Sequence, residues 1–161
     1  IAHPNGYAVA VSSLGAVVNV PLMGAYSASK AAVEALGNTL RAELAPSGAR
    51  VGVAYFAELD TEMTSRGFDT EAARSFLGGR TVTTVTDLEV GINALERGIA
   101  RRSRRIVAPW WVAGVLPIRS IAQPVVDRAL RGKVAGVLAI ARDERVELTT
   151  PQGEPVPGER S

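Results

Sequence analysis

The chain has 161 residues, 47% hydrophobic and 21% charged, with a formal net charge of +2. This size and composition are typical of one globular domain with a core of its own. Because there is no cysteine, disulfides and thiolate metal sites are excluded, and with His3 as the only histidine we expect no metal and no Ser-His-Asp triad.

The first residues do not combine a basic stretch with an apolar run, as a secretory signal would. No uncharged apolar stretch reaches the roughly 20 residues that a membrane-spanning helix needs. We therefore expect a cytoplasmic protein. One basic cluster, Arg101–Arg105, stands without an interleaved aromatic platform, so we expect no nucleic-acid partner.

In chain order, the first predicted element is an apolar strand over residues 6–13, which ends in the paired hydroxyls of Ser12 and Ser13. It lacks strict alternation, which is typical of a strand buried on both faces of a parallel sheet. A loop over residues 14–23 follows. A long helix is predicted over residues 24–45, with leucines at every fourth position from Leu36 and a stop at Pro46.

The first turns of this helix carry Tyr26 and Lys30, four residues apart. Residues at this spacing leave a helix on the same face. A phenol is a poor proton donor near neutral pH, since its ordinary pKa is about 10, and a nearby ammonium group favours its ionised form. The spacing therefore indicates a proton-transfer pair in which Tyr26 reacts and Lys30 assists it. An incidental lysine on a surface helix is the alternative.

A strand that ends in paired serines, a small-residue loop, and Tyr-Ser-Ala-Ser-Lys opening a long helix together resemble the short-chain dehydrogenase/reductase family over residues 1–132. The resemblance implies an α/β fold, part of a Rossmann-like doubly wound parallel sheet with about three strands here and flanking helices. It implies an enzyme that uses NAD or NADP to interconvert a hydroxyl and a carbonyl on a small molecule. Ser13, Tyr26 and Lys30 match the family's catalytic residues, and Lys30 would also hold the nicotinamide ribose.

The same resemblance implies further binding residues. In the loop, Leu14, Val20 and Met23 are candidate substrate contacts, with ordinary packing as the alternative. A second strand is predicted over residues 50–56, and the family usually continues with Pro-Gly where this chain has Phe56-Ala57. The predicted cofactor contacts are Tyr26, Lys30, Phe56, Ala57, Leu59 and Thr61, and the alternative for Thr61 is a helix cap.

Residues 63–84 are polar and correspond to the family's substrate lid. Thr86 and Glu89 predict a capping box for a helix that runs to about Arg102. Further predicted elements are a strand over residues 106–108, a helix over residues 112–130 interrupted near Pro117 and Pro124, and a helix over residues 134–146. The apolar face of the helix after Thr86 is predicted to comprise Leu88, Ile92, Leu95 and Ile99.

No glycine-rich phosphate-binding motif follows a strand, so we expect residues 1–148 to be the C-terminal catalytic part of a single Rossmann-type domain, inactive by itself. Residues 149–161 have the composition of a disordered tail. The resemblance implies a homodimer or tetramer through the helix that carries Tyr26. Two alternative functions remain open. One is a non-catalytic scaffold, and the other is a peripheral membrane segment formed by Arg101–Arg105 with Trp110-Trp111. The alternative to a membrane segment is that these arginines are solvated and the tryptophans pack on the sheet.

Overall fold

The computed structural model describes residue 3, residues 5–62, residue 75 and residues 83–143. In this part of the chain, three parallel strands form one sheet in the order β1-β2-β3, and helices flank it. This confirms the predicted α/β, Rossmann-like class. The strands are β1 Tyr7–Val11, β2 Arg50–Phe56 and β3 Arg105–Ala108. The helices are α1 Gly24–Glu43, α2 Leu88–Ala100, α3 Val112–Val115, α4 Arg119–Leu130 and α5 Val134–Asp143.

Strand β2 is the centre of the sheet, and Val51–Tyr55 within it are all buried. It pairs with β1 from Tyr7 opposite Arg50 to Val11 opposite Ala54, and with β3 up to Phe56 opposite Ala108. Because all three strands run in the same direction, their carboxyl ends meet at one edge of the sheet. Residues that follow β1, β2 and β3 therefore gather at that edge, where open α/β sheets bind ligands.

Helix α1 packs closely on one face of this sheet because Gly37 has no side chain. A Cβ added at Gly37 would lie 2.7 Å from Val53 Cγ2 and 3.0 Å from Ala10 Cβ. The core on this face consists of Val17, Val53, Tyr55, Val112 and Leu116, which places residues of the first loop and of α3 against the central strand. The sheet thus fixes the position of the helix that carries Tyr26 and Lys30.

The predicted capping box is wrong by one residue. Asp87, rather than Thr86, caps α2, and its side chain accepts a hydrogen bond from Glu89 N at 2.9 Å. Thr86 is instead paired with the segment after β2: its N–H donates to Glu58 O at 2.9 Å, and its carbonyl accepts from Asp60 N at 2.8 Å. Because both the N–H and the carbonyl of Thr86 are paired with this segment, Thr86 remains in an extended conformation, and the next residue, Asp87, caps the helix.

The apolar face predicted for α2 is only partly buried: Leu88, Ile92 and Ile99 are 40%, 39% and 48% exposed. The helix instead makes its closest contacts through two glycines, Gly91 against Leu59 in the segment after β2 and Gly98 against Ile106 of β3. Glycine allows a closer approach than leucine or isoleucine would, so the helix is rotated toward its glycine face.

Other predicted boundaries differ slightly from the observed ones. Strand β1 ends at Val11, and the helix predicted over 112–130 is divided into α3, a 3-10 turn at Leu116–Ile118 and α4. Pro117 lies in the break as expected, whereas Pro124 lies inside α4. The predicted lid over most of 63–84 and the tail over 149–161 lie outside the described residues. Among the described helices, none is long and apolar enough to cross a membrane.

Candidate active site

Ser13 lies just beyond the carboxyl end of β1 and is held by two hydrogen bonds. Its hydroxyl accepts from Gly15 N at 3.1 Å, capping the 3-10 turn Leu14–Ala16, and donates to Phe56 O at 3.3 Å. The first bond fixes the position of the side chain. The second is longer than the roughly 2.5–3.0 Å usual for an O–H donor and is therefore weak, so this hydrogen can be redirected to a better acceptor at little cost.

Tyr26 lies in the first turn of α1, and its ring rests on Gly15. A Cβ added at Gly15 would be 3.0 Å from Tyr26 Cε1 and 3.5 Å from Ser13 Oγ. The Tyr26 ring and Ser13 Oγ therefore both lie beside the position that a Gly15 side chain would occupy, and glycine leaves that position open. The Tyr26 hydroxyl makes no hydrogen bond with any residue that the structure describes.

Lys30 lies one turn after Tyr26 and is fixed at both its backbone and its side chain. Its Nζ is 5.7 Å from the centroid of the Tyr26 ring and donates to Val11 O at 3.3 Å. The carbonyl of Lys30 accepts from Ser12 Oγ at 2.8 Å, and Ser12 is 3% exposed. The two serines thus have separate tasks: the buried Ser12 ties α1 to the end of β1, and Ser13 faces the site.

The residues predicted to contact the cofactor follow β2 at the same edge of the sheet. Phe56 O accepts from Ser13, and Ala57 N donates to Ala108 O at 2.9 Å, so these two residues continue the sheet in place of Pro-Gly. The Leu59 side chain packs on Gly91, where an added Cβ would lie 2.5 Å from Leu59 Cδ1. Leu59 also pairs with Thr86, and Thr61 lies two residues further on.

The three candidate substrate contacts occupy different environments. Leu14 packs against the core, in agreement with its alternative as a packing residue. Met23 precedes α1 directly: its carbonyl accepts from Ser27 N at 2.8 Å, and its N–H donates to Val20 O at 3.3 Å. Val20 and Met23 therefore form a turn that leads into Tyr26.

A polar network beneath the site was not predicted from the sequence. Tyr55 on β2 is 5% exposed and lies within the electrostatic influence of Glu34 of α1, and Glu34 accepts from Arg119 Nη1 of α4 at 3.0 Å. Burial, followed by the negative charge of Glu34, raises the pKa of Tyr55 to about 12. Glu34 is two helical turns after Tyr26 and one after Lys30, so the spacing could have placed it on this face.

We expect Tyr55 to make stability depend on pH above pH 10. In the unfolded chain the phenol ionises near pH 10, whereas in the folded chain it stays protonated until about pH 12. The contribution of Tyr55 is therefore fully present below pH 10 and is lost as the pH rises to 12, which amounts to about 2 kcal/mol. Urea unfolding should show the difference between wild type and Tyr55→Phe shrinking over this range; a constant difference would contradict the assignment.

The arginine cluster and the tryptophan pair lie at opposite ends of β3. Arg101, Arg104 and Arg105 are exposed, whereas Arg102 donates through Nη2 to Gly6 O at 2.9 Å and to Gly48 O at 3.1 Å. Beyond the other end of the strand, Trp111 packs on the core and Trp110 is 84% exposed. A strand of four residues spans roughly 13 Å. The alternative of a solvated arginine cluster with tryptophans packed on the sheet therefore holds for Trp111 and not for Trp110.

Comparisons with known proteins identify the family of this chain. The family model described as short chain dehydrogenase matches residues 1–72, which include Ser13, Tyr26 and Lys30. An uncharacterized oxidoreductase of Mycobacterium tuberculosis is 35% identical over 108 residues, covering 66% of this chain and 38% of that protein. The chain belongs to the short-chain dehydrogenase/reductase family. Another relative, 11-beta-hydroxysteroid dehydrogenase-like 2 of Arabidopsis thaliana, is 28% identical over 125 residues, covering 78% of this chain and 38% of its own length.

Solved structures of family members share the fold. A short chain dehydrogenase from Burkholderia cenocepacia in complex with NADP superposes with a TM-score of 0.60 at 22% identity, covering 78% of this chain and 49% of that one. A short-chain dehydrogenase from Sphingobium yanoikuyae in complex with NADPH superposes with a TM-score of 0.57 at 24% identity, covering 94% of this chain and 50% of that one. The chain therefore spans about half or less of the length of the family members that it matches.

Proposed function

We propose that the whole protein is an NAD(P)-dependent oxidoreductase that interconverts a hydroxyl and a carbonyl on a small molecule. The observation that carries this proposal is that the Tyr26 ring and Ser13 Oγ both lie beside the position that a Gly15 Cβ would occupy, with Lys30 Nζ 5.7 Å from the Tyr26 ring. Two hydroxyl groups and one fixed cation at the carboxyl edge of a parallel sheet suit a reaction in which negative charge develops on a carbonyl oxygen.

In the reductive direction, this chain's residues act on the carbonyl oxygen. Tyr26 donates its hydroxyl proton to that oxygen as the carbonyl carbon gains a hydride, so a carbonyl becomes an alcohol and the phenolate is reprotonated from solvent. Ser13 turns its hydrogen from Phe56 O to the same oxygen and stabilises the developing charge. The Lys30 ammonium stabilises the phenolate during the step.

The donors present fit the nicotinamide end of NAD(P), which supplies the hydride when bound. An ammonium group has three N–H donors, and Lys30 uses one of them on Val11 O. The remaining donors suit the neighbouring hydroxyls of a ribose. We assign the same role in cofactor binding to Tyr26, and contacts with the carboxamide end to the segment Phe56, Ala57, Leu59 and Thr61.

The test uses the full-length protein with NADPH or NADH deuterated at the transferable position and a panel of ketones and aldehydes. We expect oxidation of the cofactor that depends on an added carbonyl compound, and one deuterium on the carbinol carbon of the product by mass spectrometry. Cofactor oxidation without a carbonyl compound, or a product free of deuterium, would overturn the proposal.

We propose further that the full-length protein is a cytoplasmic homodimer or tetramer that associates through α1. Leu36 on this helix is 57% exposed, which supports an interface there because a large apolar side chain gains by burial against a partner.

A further inference from the structure

A side chain of α4 pairs with the backbone of the loop between Ser13 and Tyr26. Gln123 Oε1 accepts from Asn19 N at 2.7 Å, and Gln123 Nε2 donates to Asn19 O at 3.1 Å. One amide side chain thus satisfies both polar backbone groups of one loop residue. Such two-point pairing restricts the orientation of the loop as well as its distance from α4.

Asp127 fixes which way the Gln123 amide points. It lies one turn further along α4, and its carboxylate accepts from Gln123 Nε2 at 2.7 Å. A carboxylate can only accept a hydrogen bond, so the nitrogen of Gln123 must face Asp127, and its oxygen is then directed at the Asn19 N–H. We call this arrangement of Gln123, Asp127 and the Asn19 backbone the amide clasp.

The helix that carries the amide clasp is itself anchored to α1. Arg119, in the first turn of α4, donates to Glu34, which lies one turn after Lys30. The same network that holds Tyr55 therefore holds α4 against the helix that carries Tyr26. Two segments next to Tyr26 are therefore bound to α4: the loop that precedes Tyr26, through Asn19, and helix α1, through Glu34.

The loop conformation needs such support. Leu22 has a φ of 72°, in the left-handed region that costs a residue other than glycine about 1–3 kcal/mol, and it persists only where the surroundings determine it. The neighbouring Pro21 lines an open pocket of about 500 Å³ together with Leu130 of α4 and Val134 of α5. The loop that contains Val20 and Met23 is thus held from outside the site.

We propose that Gln123 is a positioning residue, whose amide clasp on Asn19 holds the Ser13–Tyr26 loop in the conformation that receives the carbonyl substrate. This inference rests on the proposed oxidoreductase function. Loss of the clasp frees the loop to leave this conformation. Because the clasp is exposed to solvent, its hydrogen bonds are of moderate strength, and we expect substrate affinity to fall about tenfold, which equals about 1.4 kcal/mol.

The test compares Gln123→Ala and Gln123→Glu with wild type in the full-length protein. Alanine removes the amide. Glutamate keeps the size of the side chain and an oxygen that can accept from Asn19 N, but its second oxygen replaces the donating nitrogen and has no hydrogen for Asn19 O or Asp127. For both variants we expect a carbonyl-substrate KM about tenfold higher, with kcat and the cofactor KM changed less than about twofold. Amide hydrogen exchange at Asn19, followed by NMR, should become about tenfold faster.

Ser120→Ala is the matched control because Ser120 is an exposed residue of the same helix with no role in the clasp. It should leave both KM and the exchange rate of Asn19 unchanged. A wild type that reduces no carbonyl compound overturns the proposed function and this role together. An active wild type with unchanged KM in both Gln123 variants, or with unchanged exchange at Asn19, overturns the positioning role alone.

Discussion

Replacing Tyr26 with phenylalanine in the full-length protein should lower kcat for carbonyl reduction about 1,000-fold, within the range of 10²–10⁴ typical of lost general acid catalysis. The ring would remain in place because it rests on Gly15 and needs no hydrogen bond from its hydroxyl. The change therefore removes the proton donor and leaves the shape of the site. Steady-state kinetics should show the loss in kcat, while fluorescence titration shows cofactor affinity within a few-fold of wild type.

Tyr7→Phe is the matched control for this experiment. Tyr7 lies at the other end of β1, where its hydroxyl donates to Ser103 O at 2.7 Å over Gly52. Its loss should lower stability by about 1 kcal/mol and leave kcat unchanged. If Tyr26→Phe retained most of the wild-type kcat, another group would have to protonate the product, and the assignment of Tyr26 would be wrong.

Replacing Gly37 with alanine should destabilise the protein by about 2 kcal/mol, although alanine is the better helix former by about 1 kcal/mol. The new methyl group would lie 2.7 Å from Val53 Cγ2 and 3.0 Å from Ala10 Cβ. Ala10 Cβ is fixed to its backbone, and rotation of the Val53 side chain is opposed by the packed core around it, where Val53 is 1% exposed, so α1 must retreat from the sheet. Urea unfolding measures the loss, and we also expect lower activity because Tyr26 and Lys30 move with the helix.

The control is Gly136→Ala, which makes the same change inside α5. A Cβ added at Gly136 meets nothing within 4 Å, so alanine should stabilise this helix by up to about 1 kcal/mol. If alanine lowers the free energy of unfolding at position 37 and raises it at position 136, packing rather than helix propensity governs position 37. Stabilisation at both would mean that α1 does not approach the sheet as closely as described.

The parts of the fold that depend on local pattern could be predicted from the sequence. The spacing of Tyr26 and Lys30 places them on one helical face whatever surrounds them, and paired serines after an apolar run mark the end of β1. The sequence also predicts the strand over residues 50–56, and all five residues of Val51–Tyr55 are buried. These features carried the family resemblance, which in turn implied the fold class and the candidate site. The expectation of burial on both faces was wrong for β1, which lies at the edge of the described sheet with Val11 44% exposed.

The remaining features depend on contacts between distant segments, which no local pattern reveals. Asn19 and Gln123 are 104 positions apart, and Gln123 stands next to a proline that suggested a helix break. Thr86 and Asp87 are both good caps, and only the pairing of Thr86 with the segment after β2 decides between them. The glycine face of α2 was missed because periodicity counts large apolar residues and overlooks glycines that permit close contact.

The most direct test of the central claim is a crystal structure of the full-length protein with NAD(P) and a carbonyl-containing substrate analogue. We expect one carbonyl oxygen within about 3.2 Å of both Tyr26 Oη and Ser13 Oγ, with Lys30 Nζ within hydrogen-bonding distance of the nicotinamide ribose. A carbonyl group bound away from these two hydroxyls, or a Lys30 side chain directed away from the ribose, would contradict it.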